Sequence, residues 1–191
     1  MTSTDTPTAA TPPAPRHTPP PPATWKRYGL LALLLAFAAF WTWALFFASK
    51  EAVNKIGDHE WAARAERICA AATVEREALA DFTRIDQPTP ELIAGRADIV
   101  DAATDIIERM LDEVVAVPPT DPKGAGIVPD WEADYRTYIS DRRAYADELR
   151  SSSANLPFYE TPAGSIPVSE KVATFAGDNE MPSCAPPRDL S

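Results

Sequence analysis

The chain has 191 residues, 45% of them hydrophobic and 24% charged, with 20 Pro, 7 Gly and a net charge of −10. An acidic balance with no basic patch interleaved by aromatic residues argues against nucleic-acid binding. Two histidines and two cysteines are too few for a structural zinc site or for the paired Glu-x-x-His motifs of a di-iron bundle, and no cofactor is expected.

Residues 1–24 are almost only Thr, Ala, Pro and Ser, as in TPPAPRHTPPPPAT, and hold no side chains able to build a core. The expectation is a disordered, partly polyproline II tail. Its Thr6-Pro7, Thr11-Pro12 and Thr18-Pro19 steps and the run Pro19 to Pro22 suit phosphorylation or a proline-recognition domain, although a spacer is the simpler reading.

From Gly29 to Ala48 the sequence GLLALLLAFAAFWTWALFFA carries no charge. About twenty residues at about 1.5 Å each match a hydrocarbon core of roughly 30 Å, so residues 25–49 read as a transmembrane signal-anchor in the lipid bilayer. Trp25 and Tyr28 on one side and Trp41 and Trp43 towards the other suit the two interfaces. The apolar run is too long for a cleaved leader, and ALFFASKEA has no small-x-small site. Arg16, Lys26 and Arg27 before the helix oppose only Asp5. That bias places the N-terminus in the cytoplasm and residues 50–191 outside the plasma membrane.

Cys69 and Cys184 both follow the anchor, and an extracytoplasmic compartment permits a disulfide between them. The tail EMPSCAPPRDLS holds too little apolar surface to dock by itself. Closing so large a loop removes unfolded-state entropy worth about 4–5 kcal/mol in the chain-entropy model, so Cys184 reads as a staple and not a nucleophile.

The outer domain reads as all-α. Asp58 can cap a first helix whose stripe is Trp61, Ala65, Ile68, Ala72, Leu79 and Phe82. Thr89, Pro90 and Glu91 open a second, with Ile93, Val100, Ala103, Ile107, Met110 and Val114 inward, ended by Pro118 and Pro119. PPTDPKGAGIVP, Pro118 to Pro129, reads as a loop before a third helix from Asp130 to about Ser151, whose stripe is Trp131, Tyr135, Tyr138, Tyr145 and Leu149. VSEKVATFAG, opened by Ser169, reads as a short fourth. The fold class is therefore a membrane helix followed by a helical bundle, three main helices plus a short fourth, with a disulfide-tied tail.

Three constellations stand out. Asp98, Asp101, Asp105, Glu108 and Asp112 share one face of the second helix. They can bind a cation or basic partner, though a solvated face is the plainer reading. Glu75 and Arg142 interrupt inward stripes at matching heptad positions and are expected to form a partly buried ion pair. Phe158 and Tyr159, between Pro157 and Pro162, are either an exposed partner site or a plug on the bundle. His59 has no second histidine nearby, and no base and nucleophile are nominated for catalysis.

The Pro/Thr-rich start, single apolar anchor, WAARAERICAAA, WEADYRTYISDRRAYADELR and NEMPSCAPP resemble single-pass membrane proteins of actinobacteria that carry no assigned activity. The resemblance implies location and architecture only. The leading expectation is a non-enzymatic accessory or binding protein of the cell envelope with envelope protein partners. A transmembrane sensor coupling the outer domain to a cytoplasmic partner of the tail comes second, and an envelope enzyme third.

Overall fold

The computed structural model describes residues 24–47, 52–80, 87–152 and 154–190. The tail before Thr24, with its Thr-Pro steps, and Phe82 of the first predicted stripe lie outside them. The chain forms two units, Met1–Lys50 and Glu51–Ser191.

The first unit contains α1, Thr24–Phe46. Its segment Trp25–Phe46, 22 residues, is long and apolar enough to cross a membrane. Leucine, phenylalanine and tryptophan side chains are exposed on all its sides, so no packed face distinguishes a core-facing stripe.

The second unit is mostly helical: α2 is His59–Glu77, α3 is Pro90–Val115, α4 is Pro122–Ser152 and α5 is Val168–Asp178. Pro162–Ala163 and Ile166–Pro167 form a minimal antiparallel pair, β1 and β2, and Pro182–Cys184 is a 3-10 turn. Gly164 sits at φ +72 in the turn between the strands, a conformation that side chains rarely adopt. The hairpin was not visible in the sequence because a strand of two residues has no period to read.

Two aspartates start two helices reciprocally. Asp58 accepts the Trp61 N–H at 2.9 Å to cap α2, and its other oxygen accepts the Thr120 N–H and hydroxyl at 2.8 and 2.7 Å. Asp121 accepts the Gly124 N–H at 2.9 Å to open α4 and the Asp58 N–H at 3.1 Å. A Cβ on Gly124 would lie 2.6 Å from the Asp121 carboxylate, so only glycine fits this approach. The Thr120 N–H holds the Asp58 carboxyl down at about 2, with the Trp61 N–H and the Thr120 hydroxyl adding to the effect.

This pair corrects the predicted loop. Residues 122–129 belong to α4, with Pro122 at the first helical position and Pro129 inside the helix. The Asp-Pro step at 121–122 is the start signal, and it outweighs the breaker at 129. Thr89 caps α3 as expected, accepting the Leu92 N–H. Ser169 does not cap α5. Pro167 occupies the cap, and Glu160 accepts the Ser169 N–H at 2.9 Å from across the hairpin.

The core runs between α2, α3, α4 and α5. Trp131 is its hub, with Trp61, Tyr135 and Phe175 at 6.4, 5.5 and 5.3 Å between ring centroids. A second cluster, Ile93, Ala97, Val100, Tyr145, Ala146 and Leu149, fills the space between the start of α3 and the end of α4. The Cys69–Cys184 disulfide ties the tail to α2, closing a separation of 115 residues. One turn away, Glu66 accepts the Ser183 N–H and hydroxyl at 2.9 and 2.7 Å.

Candidate functional site

The predicted acidic face is a ladder between helices. Arg150 holds Asp98 and Asp101 at 2.9 and 2.6 Å; Arg143 holds Asp105, Asp101 at 3.3 Å and Glu108 at 3.1 Å; Arg136 holds Asp112 at 2.9 Å. Each step of seven along α3 meets a step of seven back along α4, which records antiparallel packing. The hydrogen bonds that Arg150 donates to Asp98 and Asp101 raise its guanidinium above the usual arginine range. The carboxylates therefore neither form a bare solvated ridge nor await a cation. Among the described residues no group of three or more His, Cys, Asp and Glu is placed to hold a metal ion.

The predicted Glu75–Arg142 pair is also corrected. Glu75 is exposed and accepts both its hydrogen bonds from Arg109 of α3, at 2.7 and 2.8 Å. The rotation of α2 turns Glu75 outward, one position away from Arg76, which faces the tail. Arg142 is buried, its side chain 0% exposed, and its partner is Asp189, reached at 2.7 and 3.2 Å through two nitrogens. Arg142 also donates from Nε to Thr104 at 3.0 Å and from Nη1 to the Tyr138 hydroxyl at 3.2 Å. Thr104 in turn donates to the Val100 carbonyl and Tyr138 to the Pro187 carbonyl. Burial works against the guanidinium charge, but the Asp189 carboxylate outweighs it and Arg142 stays charged. Burial likewise pushes the Tyr138 phenol up to about 12 despite the neighbouring Arg142.

Sequence reasoning missed Asp189. It lies in a proline-rich tail without periodicity, and only an inward arginine on the third helix signalled that some carboxylate had to arrive.

Phe158 and Tyr159 separate. Phe158 packs on Tyr138 and Tyr145 at 6.1 and 5.4 Å and joins the core, whereas Tyr159 is 79% exposed. The expected plug is Phe158 alone.

Above the Arg142–Asp189 pair lies a groove of about 410 Å³ between the end of α2 and the first half of α3. Its walls include Leu79, Leu92 and Ile99, and Leu190 of the tail borders it. Leu92 is 44% exposed on this wall. Three guanidiniums line it, Arg76, Arg96 and Arg142, against the carboxylates of Glu91 and Asp189. Arg76 stands 3.5 Å from Asp189, while Arg96 has no hydrogen-bond or ion-pair partner among the described residues. An apolar cleft of this size with a few convergent charged groups has the character of a binding site.

Comparison with protein-family models, with curated proteins and with solved structures gives no match.

Proposed function

We propose that this protein is a membrane-anchored, non-enzymatic binding protein of the cell envelope. In this reading α1 crosses the plasma membrane from a cytoplasmic N-terminus, and residues 50–191 stand outside as a helical module offering the groove between α2 and α3 to a partner. The observation that carries it is the Cys69–Cys184 disulfide in the domain that follows a membrane-length helix. Disulfides persist in oxidising compartments and are rare in the cytosol. Lys26 and Arg27 at the start of α1 add the charge bias of a cytoplasmic flank. The groove supports binding over catalysis, because it brings together arginines and aliphatic walls but no nucleophile paired with a base.

Protease added to intact cells tests the topology. The expected outcome is loss of the helical domain, a protected N-terminal fragment, and a Cys69–Cys184 linked peptide in a non-reducing digest. A protected domain with free thiols would overturn the reading.

A further inference from the structure

We infer that the groove docks an acidic–aliphatic peptide segment of a partner protein, a step that rests on the binding-module reading above, and that Asp189–Leu190 is the built-in competitor for that site. The tail supplies the chemistry of the occupant. Asp189 lays its carboxylate on the Arg142 fork at 2.7 and 3.2 Å, the planar two-point match that arginine offers. Leu190 follows it and packs on the cluster around Ile93 and Leu149. The floor of the groove thus already holds a turn in which an acid precedes a leucine.

The tail leaves most of the groove open. About 410 Å³ remains beside it, walled by Leu79, Leu92 and Ile99, and Arg96 faces this space without a carboxylate partner among the described residues. On α4, by contrast, Arg136, Arg143 and Arg150 all hold acids. Gly95 sits one residue before Arg96 inside α3, where glycine is the poorest helix former after proline. No neighbour requires it, since a Cβ there would meet nothing within 4 Å. What a larger side chain at this position would do is fill the groove. In a chain of net charge −10, a cleft lined by three arginines and two carboxylates is a local basic exception that favours an acidic partner.

The tail is tethered at Cys184, so it faces its own site at an effective concentration on the order of millimolar and suppresses a free peptide accordingly. Leu190→Gly vacates the leucine seat while Asp189 stays on Arg142, so the carboxylates of an incoming peptide are left to Arg96.

The test uses full-length protein in nanodiscs and a fluorescein-labelled peptide PPRDLE, with PPRNLQ, which lacks both side-chain carboxylates, as the control, read by anisotropy. Leu190→Gly is expected to bind PPRDLE at least about tenfold more tightly than wild type and to discriminate against PPRNLQ by a similar factor. In the Leu190→Gly background, Arg96→Gln should weaken binding by about tenfold, the loss of one charge-assisted contact, and Gly95→Phe should abolish it. No binding by Leu190→Gly would overturn the inference, as would equal binding of both peptides or binding indifferent to Gly95→Phe. Saturable binding of sodium decanoate that Gly95→Phe abolishes, without peptide binding, would assign the groove to a carboxylate amphiphile. A dimer formed by Leu190→Gly would assign it to a second copy, and either result overturns the peptide. Nanodisc incorporation and the intact disulfide, checked on the same sample, keep failure of the groove distinct from failure of the anchored module.

Discussion

Arg142 and Arg143 are neighbours in α4, about 100° apart around the helix, and each holds aspartate. Arg142 is fully buried and shares a single carboxylate with Arg76, from a tail 47 residues further on. Arg143 is 34% exposed and spreads over Asp101, Asp105 and Glu108 of the adjacent helix. The inner arginine has no water to replace a lost partner, so its cost appears when the pair is broken and not when it is made. The outer one exchanges protein for water at little cost, and its three contacts mainly set the register of α3 against α4. Equal chemistry therefore carries unequal weight, and the inner pair depends on whatever keeps the tail in place.

Cutting that dependence gives the largest effect. Cys69→Ser with Cys184→Ser is expected to cost about 4–5 kcal/mol in denaturant unfolding, as the chain-entropy model gives for a loop of this length. Hydrogen exchange should rise in α2, the tail and around Arg142, while the outer ladder keeps its protection. Asp189→Asn leaves the guanidinium stranded and is expected to cost about 2–4 kcal/mol, near the lower part of the range for a broken buried pair, because Asp189 itself is 29% exposed. That loss should be nearly the same at low and high salt. Arg143→Gln should cost under about 1 kcal/mol, measured in the same unfolding assay, and should approach zero in molar salt, where screening acts within roughly 3 Å.

A carboxylate held by backbone donors sharpens the contrast further. Asp58 has its folded pKa lowered from 3.8 to about 2, chiefly by the Thr120 N–H. A depressed carboxyl stabilises the fold above its unfolded pKa and loses that contribution as pH falls from about 4 to 2. Asp58→Asn keeps one capping oxygen but not the titrating carboxylate, so its cost should be largest at neutral pH, shrink as pH falls from about 4 to 2, and flatten the acid limb of the unfolding curve between those values.

The sequence disclosed the elements through local signals. Asp58 and Thr89 marked helix starts because capping is written within four residues, and the aromatic stripe of the third helix marked its buried face. Asp121–Pro122 carried the same kind of signal, but the prolines around it suggested a loop, and its capping role depends on Asp58, 63 residues away. Arg136, Arg143 and Arg150 repeat at sevens, as do Asp98, Asp105 and Asp112; those matching periods were legible and would have predicted the ladder. Asp189 was not, because its place is fixed by a disulfide and a tyrosine–carbonyl contact rather than by any period. The groove was hidden for a related reason: Gly95, Arg96 and Leu92 look like ordinary surface positions of α3 until the tail is laid beside them.

The most direct measurement is a pair of double-mutant cycles on the full-length protein, one with Arg142→Gln and Asp189→Asn, the other with Arg143→Gln and Asp105→Asn. A coupling of about 2 kcal/mol or more for the inner pair and under about 0.5 for the outer is the result expected of a stapled tail seating a carboxylate on a buried arginine. Equal, small couplings in both cycles would contradict it, because Asp189 would then be no more than a surface contact and the tail would not hold the site.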